Sequence, residues 1–129
     1  MKVIELDRHR KAKIVVAAGD RNIAEALCEF FLTHEFKAEL VNSFEQVFLS
    51  LSRKGVDMVL LTSFGFEAAR IPPYIKEIRN MCPSVGIAVL SKDESIESEA
   101  MKTGADLFIP APFCLRDLLG QIKTLLKVK

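Results

Sequence analysis

The sequence has no tryptophan, a single tyrosine and only three cysteines among its 129 residues. Cys28, Cys82 and Cys114 are odd in number and far apart, so neither a disulfide framework nor a zinc knuckle is expected. The chain also has almost no net charge, because the charges of 18 basic and 17 acidic residues nearly cancel. This balance argues against direct binding to nucleic acid or to an acidic membrane surface.

Long apolar runs are missing as well. The apolar stretches are a few residues long, too short to cross a bilayer, and the charged segment 1–11 lacks the apolar centre of a signal peptide. These absences favour a cytoplasmic protein in a reducing compartment, and they predict no cofactor and no bound metal.

Half of the residues are hydrophobic, which is enough for one continuous core. No repeat or Gly/Ser linker divides the chain, so we expect an N-terminal extension at residues 1–12 and one domain at residues 13–129. Short β-rich runs alternate with helical patterns in that domain, which predicts a parallel sheet. The predicted strands are 13–17, 38–41, 57–62, 85–90 and 107–109, and each is followed by a helix, the last at 115–127.

Five such units predict an α/β, flavodoxin-like fold with three layers and a doubly wound five-stranded parallel sheet in the order 2-1-3-4-5. Ligands of such sheets bind at the carboxyl ends of the strands, where the strand order reverses. Any site is therefore expected near residues 17–20, 62–66, 91 and 110–113.

Three stretches carry a family resemblance. Residues 56–61 have the sequence VDMVLL, residues 89–91 are VLS, and residues 104–113 contain the triplet GAD, then Phe108 and the pair Pro112-Phe113. In this order they resemble the receiver domain of bacterial response regulators, the CheY-like domain, across residues 13–127. The resemblance implies a cis peptide bond between Ala111 and Pro112, which X-Pro bonds permit.

Phosphorylation in that family needs a carboxylate nucleophile, acidic ligands for Mg²⁺, a hydroxyl and a lysine. Here the resemblance implies a degenerate site in which Thr62 stands at the phosphoacceptor position. A neutral threonine hydroxyl does not form an acyl phosphate. The other positions of the degenerate site are Ala18 and Gly19 for the acidic pair, Asp20 beside them, Ser91 for the hydroxyl, Ala111 for the lysine, and Pro112 after it.

The resemblance therefore implies a pseudo-receiver that is not an enzyme. Its expected role is a regulatory or protein-interaction module in two-component, phosphorelay or transcriptional signalling, which acts without phosphorylation. The expected contact face is formed by the fourth helix, the fifth strand and the fifth helix (α4-β5-α5), and a homodimer through it is possible. Candidate surface residues are Phe64, Phe66, Glu94, Glu97, Met101 and Phe108.

Several alternatives remain open at this stage. Phe64 and Phe66 either insert into a partner or fold inward over the space left by the missing acids. The ring of Phe108 is either fixed outward, which we favour, or part of the core. The degenerate crevice is also a candidate site for a small ligand, which would make the domain a sensor. Flavin or nucleotide chemistry is disfavoured, because the turn at 18–22 has neither a hydroxyl-rich phosphate loop nor a Walker pattern.

Overall fold

A five-stranded parallel sheet is the centre of the computed structural model, which describes residues 4–6, 11–53 and 55–128. In chain order the strands are β1 (Ile4–Leu6), β2 (Lys13–Ala17), β3 (Lys37–Val41), β4 (Met58–Thr62), β5 (Gly86–Ser91), β6 (Leu107–Pro110) and β7 (Leu126–Val128). The main sheet has the order β3-β2-β4-β5-β6, with every neighbouring pair parallel. Numbered within the main sheet, this order is 2-1-3-4-5, so the predicted fold is confirmed.

Helices cover both faces of the sheet. They are α1 (Arg21–Thr33), α2 (Phe44–Ser52), α3 (Ile71–Met81), α4 (Glu97–Thr103) and α5 (Leu115–Leu125). Residues of α1 and α5 share one core with the sheet, whereas residues of α2, α3 and α4 share the other. Strands β4 and β5 are buried along their whole length, which explains their nearly continuous apolar sequences. In the described part of the chain, no helix is long and apolar enough to cross a bilayer.

Local signals in the sequence explain where the helices begin. The side chain of Asp20 caps α1 by accepting hydrogen bonds from the amides of Asn22 and Ile23. The hydroxyl of Ser43 caps α2 by accepting from the amide of Gln46 at 3.2 Å, as its capping-box pattern predicts. Two prolines occupy the first turn of α3, where their missing amide protons cost nothing.

The edge of the sheet opposite the predicted site is closed by two aspartates. Oδ2 of Asp57 accepts a hydrogen bond from the backbone amide of Lys13 at 2.9 Å, just before β4 begins. Oδ2 of Asp106 pairs with Nη2 of Arg79 at 2.6 Å and accepts from the amide of Ile87 at 2.9 Å. Nε of the same arginine donates to the carbonyl of Gly104 at 2.8 Å. The ion pair between Arg79 and Asp106 thereby ties α3 to β5 and to the turn before β6.

The ends of the chain depart from the sequence prediction. The predicted extension 1–12 contains β1, which pairs in parallel with β7, with Ile4 opposite Leu126. The final helix was predicted to reach residue 127, but it ends at Leu125, and Leu126 leaves it with its side chain buried. A short apolar run at a helix end cannot be distinguished from a strand by periodicity alone, which accounts for the error.

Candidate functional site

The structure brings the predicted site positions to one edge of the sheet. Ala18 follows β2, Thr62 ends β4, Ser91 ends β5 and Ala111 follows β6. In a doubly wound sheet this is the edge where ligands bind. What these residues do there depends on how the four loops meet.

The hydroxyl of Thr62 is directed back into the sheet. Thr62 is fully buried, and its Oγ1 donates a hydrogen bond to the carbonyl oxygen of Ala17 at 2.9 Å. Buried hydroxyls need a partner, and this one is satisfied by the neighbouring strand. The side chain of Thr62, which the resemblance places at the phosphoacceptor position, therefore joins β4 to β2.

Two glycines close the crevice between the loops that follow β2 and β4. The amides of Gly19 and Asp20 both donate to the carbonyl oxygen of Phe64, at 2.8 and 3.1 Å. A Cβ atom on Gly19 would lie 2.6 Å from the carbonyl oxygen of Gly65, and a Cβ on Gly65 would lie 2.4 Å from the amide nitrogen of Asp20. A Cβ atom at either position would require the facing backbone to move, so glycine at both positions lets the loops after β2 and β4 meet backbone to backbone.

The donor set at this edge does not fit the magnesium ion that the resemblance implies. Asp20 supplies the carboxylate of this loop, and its Oδ1 already accepts the amides of Asn22 and Ile23. In the described ranges, no three His, Cys, Asp or Glu side chains cluster closely enough to hold a metal ion. Mg²⁺ needs near-octahedral oxygen ligation, which one capping carboxylate does not provide.

Serines organise the loops after β4 and β5. Oγ of Ser91 accepts from the amide of Asp93 at 3.0 Å and donates to its carbonyl oxygen at 3.2 Å. Hydrogen bonds from the hydroxyl and the amide of Ser95 lower the pKa of the Asp93 carboxyl. Oγ of Ser63 accepts from the amide of Lys92 at 2.9 Å. Ser91 thus forms a local turn, and Ser63, which the sequence analysis did not single out, joins the two loops.

The fourth loop contains the predicted cis peptide bond, between Ala111 and Pro112. The amide of Ala111 donates to the carbonyl oxygen of Ser91 at 2.8 Å, which holds this loop against the end of β5. The resemblance is therefore accurate for the backbone of this loop, even though its lysine position carries a methyl group.

Both aromatic residues of the loop after β4 turn inward. Phe64 is 8% exposed, and its ring centroid lies 6.5 Å from that of Phe113. Phe66 is half-buried, with its ring 4.4 Å from the ring of Phe44 in α2. Of the two alternatives left open by the sequence, the structure therefore contains the inward one, and Phe64 is not an exposed surface residue.

A polar network on the outside holds the same loop to α2 and α3. The hydroxyl of Tyr74 donates to Oε1 of Glu45 at 2.6 Å, and Nη2 of Arg70 donates to the Tyr74 oxygen at 3.1 Å. Its bond to the carboxylate raises the pKa of Tyr74, and the same bond lowers the pKa of Glu45. The loop is thus fixed from its core side and from its surface.

The candidate contact face lies around α4. Glu94 and Glu97 are exposed, and 43% of Met101 is exposed. Phe108 is half-buried, with part of its ring packed against the core that α2, α3 and α4 share, so it lies between the two alternatives that the sequence left open. The reason is alternation along β6, which directs Leu107 and Ile109 to the opposite core.

Comparison with solved structures and curated proteins agrees with this geometry. A response regulator from Thermotoga maritima superposes with a TM-score of 0.80 and 25% identity, over 90% of this chain and 98% of that one. The chain is also 25% identical, over 122 residues, to the response regulator MprA of Mycobacterium leprae. The chain therefore has the fold of response regulator receiver domains, and it is called receiver-like below. No family model matches it.

The match to MprA covers 89% of the receiver-like domain but 51% of MprA, so this chain spans about half the length of that relative. A further structure of the same fold is the response regulator TrrA of Thermotoga maritima, solved in complex with Mg²⁺ and beryllium fluoride. It has a TM-score of 0.77 and 21% identity, over 89% of this chain and 99% of that one. The receiver-like domain thus keeps the scaffold while its loops meet in the arrangement described above.

Proposed function

We propose that this receiver-like domain acts in a two-component or phosphorelay pathway, or in transcriptional control, by docking to protein partners without being phosphorylated. In this proposal the chain is not an enzyme, and it works in the cytoplasm. The observation that carries it is the closed crevice, in which Gly19 and Gly65 meet backbone to backbone.

Chemistry at the strand ends supports the same proposal. Phosphoryl transfer to a receiver needs a nucleophilic carboxylate and a metal ion that neutralises charge on the phosphoryl oxygens. Thr62 offers a hydroxyl already bonded to Ala17, and Asp20 is engaged as a helix cap. The Thr62 hydroxyl and the Asp20 carboxylate therefore stabilise the loops at this edge, which supports a function without phosphoryl transfer.

The proposed function predicts that an aspartyl-phosphate mimic does not bind to the domain. On addition of Mg²⁺ and beryllium fluoride, the amide NMR signals of Thr62, Ser91 and Phe108 are expected to stay in place, because no carboxylate stands where the fluoride complex would bind. TrrA, measured under the same conditions, serves as the positive control. Saturable shifts at these three residues, or the mass of one added phosphoryl group after treatment with acetyl phosphate, would contradict the proposal.

The proposed docking face is α4 with its neighbours β6 and α5, the α4-β5-α5 face of the sequence analysis. Its described surface combines the carboxylates of Glu94 and Glu97 with the thioether of Met101 and the exposed side of Phe108. An apolar centre with a charged rim is the usual composition of a protein interface. The proposed partners are signalling or transcriptional proteins, or a second copy of the chain.

If the chain forms a homodimer through this face, Met101→Lys is expected to weaken self-association by roughly tenfold or more, because the substitution places a charge at the centre of the interface. The matched control is Met81→Lys in α3, since the two methionines are 43% and 44% exposed. Sedimentation velocity measures both variants. Equal weakening by both variants, or a wild-type chain that remains monomeric at about 1 mM, would rule out the homodimer and leave a different protein as the partner.

A further inference from the structure

A separate cleft opens beside the closed crevice, at the same edge of the sheet. Its volume is about 490 Å³, which lies within the usual range of small-molecule sites, about 300–1,000 Å³. It is bounded by the start of α1 and by the loops after β4, β5 and β6. The lining residues are Ile23, Phe64, Lys92, Ala111, Pro112 and Phe113.

The walls of this cleft are apolar and fixed. The rings of Phe64 and Phe113 are tilted by 49° with their centroids 6.5 Å apart. Phe64 is held by the two amides that its carbonyl accepts, from Gly19 and Asp20, and Ile23 packs against the same core. An apolar body between these side chains would be removed from water, which is the favourable contribution to binding.

One charge stands at the mouth of the cleft. The ammonium of Lys92 lies 5.5 Å from the centroid of the Phe64 ring, and Lys92 is exposed. It is the one charged residue of the lining, and within the described ranges it has no carboxylate partner. An ammonium beside an aromatic face attracts an anionic group and leaves the ring available for the apolar part.

Three of the backbone donors near the cleft are already used. The amide of Ala111 donates to Ser91, and the amides of Asn22 and Ile23 donate to the Asp20 carboxylate. A phosphate-rich nucleotide carries several negative charges and is usually bound by a glycine-rich loop, whereas the lining of this cleft has one positive charge, on Lys92. The charge of the lining is therefore matched by a ligand with one negative charge.

We propose that this cleft binds a small apolar monoanion, an aryl or alkyl carboxylate. Its ring or chain lies against Phe64, Phe113 and Ile23, and its carboxylate pairs with the ammonium of Lys92. The lining shares no residue with the docking-face set Glu94, Glu97, Met101 and Phe108, and binding in the cleft would make the domain responsive to a metabolite of this class.

The test uses 3-phenylpropionate and its neutral isostere 3-phenylpropionamide as probes. Titration of the wild-type chain with phenylpropionate is expected to give saturable amide NMR shifts at Ile23, Phe64, Lys92 and Phe113, with a dissociation constant on the order of 1 mM. The amide is expected to bind about five- to tenfold more weakly, because it lacks the charge.

Three variants separate the parts of the proposal. Lys92→Met is expected to weaken phenylpropionate by about five- to tenfold while leaving the amide within about twofold. Lys102→Met, a lysine of α4 outside the lining, is expected to match the wild type. Ala111→Leu places a larger side chain in the cleft and should weaken both probes by roughly tenfold.

Each contrary result would overturn one claim of the proposal: the site itself, the role of the charge, or the position of the probe. Absence of saturable shifts at the cleft amides excludes the site, as do shifts confined to another surface. Equal effects of Lys92→Met on both probes exclude the role of the charge. Unchanged binding to Ala111→Leu, in a variant whose amide spectrum is otherwise native, places the probe outside the cleft.

Discussion

Replacing Gly65 by alanine is expected to lower the free energy of unfolding by about 3 kcal/mol or more. Gly65 has a φ of +83°, a conformation that side chains disfavour, and its new Cβ would lie 2.4 Å from the amide nitrogen of Asp20. That neighbour is backbone, so relief requires the loops after β2 and β4 to separate. Urea denaturation followed by circular dichroism measures the loss.

Two other glycines separate the contributions to this loss. Gly55 shares the positive φ, at +104°, but a Cβ there would meet no described atom within 4 Å, so Gly55→Ala should cost about 1–2 kcal/mol. Gly120 lies exposed in α5, where alanine should stabilise by about 0.5–1 kcal/mol. If Gly65→Ala costs no more than Gly55→Ala, the two loops do not pack as described.

Arg79→Met is expected to destabilise the domain by about 3 kcal/mol. The side chains of Arg79 and Asp106 are 18% and 9% exposed, so the substitution leaves a largely buried carboxylate without its cation. It also removes a donor from the carbonyl oxygen of Gly104. The free energy of unfolding in urea is again the measurement.

The control for this prediction is Arg21→Met, because Arg21 pairs with Glu25 at 2.7 Å on the surface, where its side chain is 85% exposed. No measurable change is expected there, since solvent screens the pair. The double variant Arg79→Met/Asp106→Leu should recover part of the loss, because it removes the stranded charge. A loss at Arg79 as small as that at Arg21 would refute a structural role for the buried pair.

Periodicity and strand order were enough to predict the main sheet and the edge at which the site positions meet. The buried strand at β4 and the caps at Asp20 and Ser43 are local signals, and local signals are preserved in the fold. The same pattern placed Thr62 and Ser91 correctly at strand ends. Their hydrogen bonds to Ala17 and Asp93 required the structure, because a hydroxyl can rotate to several partners.

Contacts between loops that are distant in the sequence could not be predicted from the spacing of residues. Gly19 and Gly65 are 46 positions apart in the sequence, and neither has a neighbouring residue that predicts their close approach. The inward turn of Phe64 depends on that approach, since its carbonyl accepts the amides of Gly19 and Asp20. The one signal in the sequence was that a glycine follows each of two strands that were already expected to be neighbours.

The contact between Gly19 and Gly65 also limits which pairs of residues the two loops can accommodate. A carboxylate side chain at position 19 is incompatible with the present loops, because its first side-chain atom would lie 2.6 Å from the carbonyl oxygen of Gly65. The loop after β4 would have to be rebuilt first, and that change alone would forfeit the packing of Phe64 and the fit of Asp20. The two glycines therefore constrain each other, and a substitution at either position is expected to be tolerated only when the facing loop changes with it.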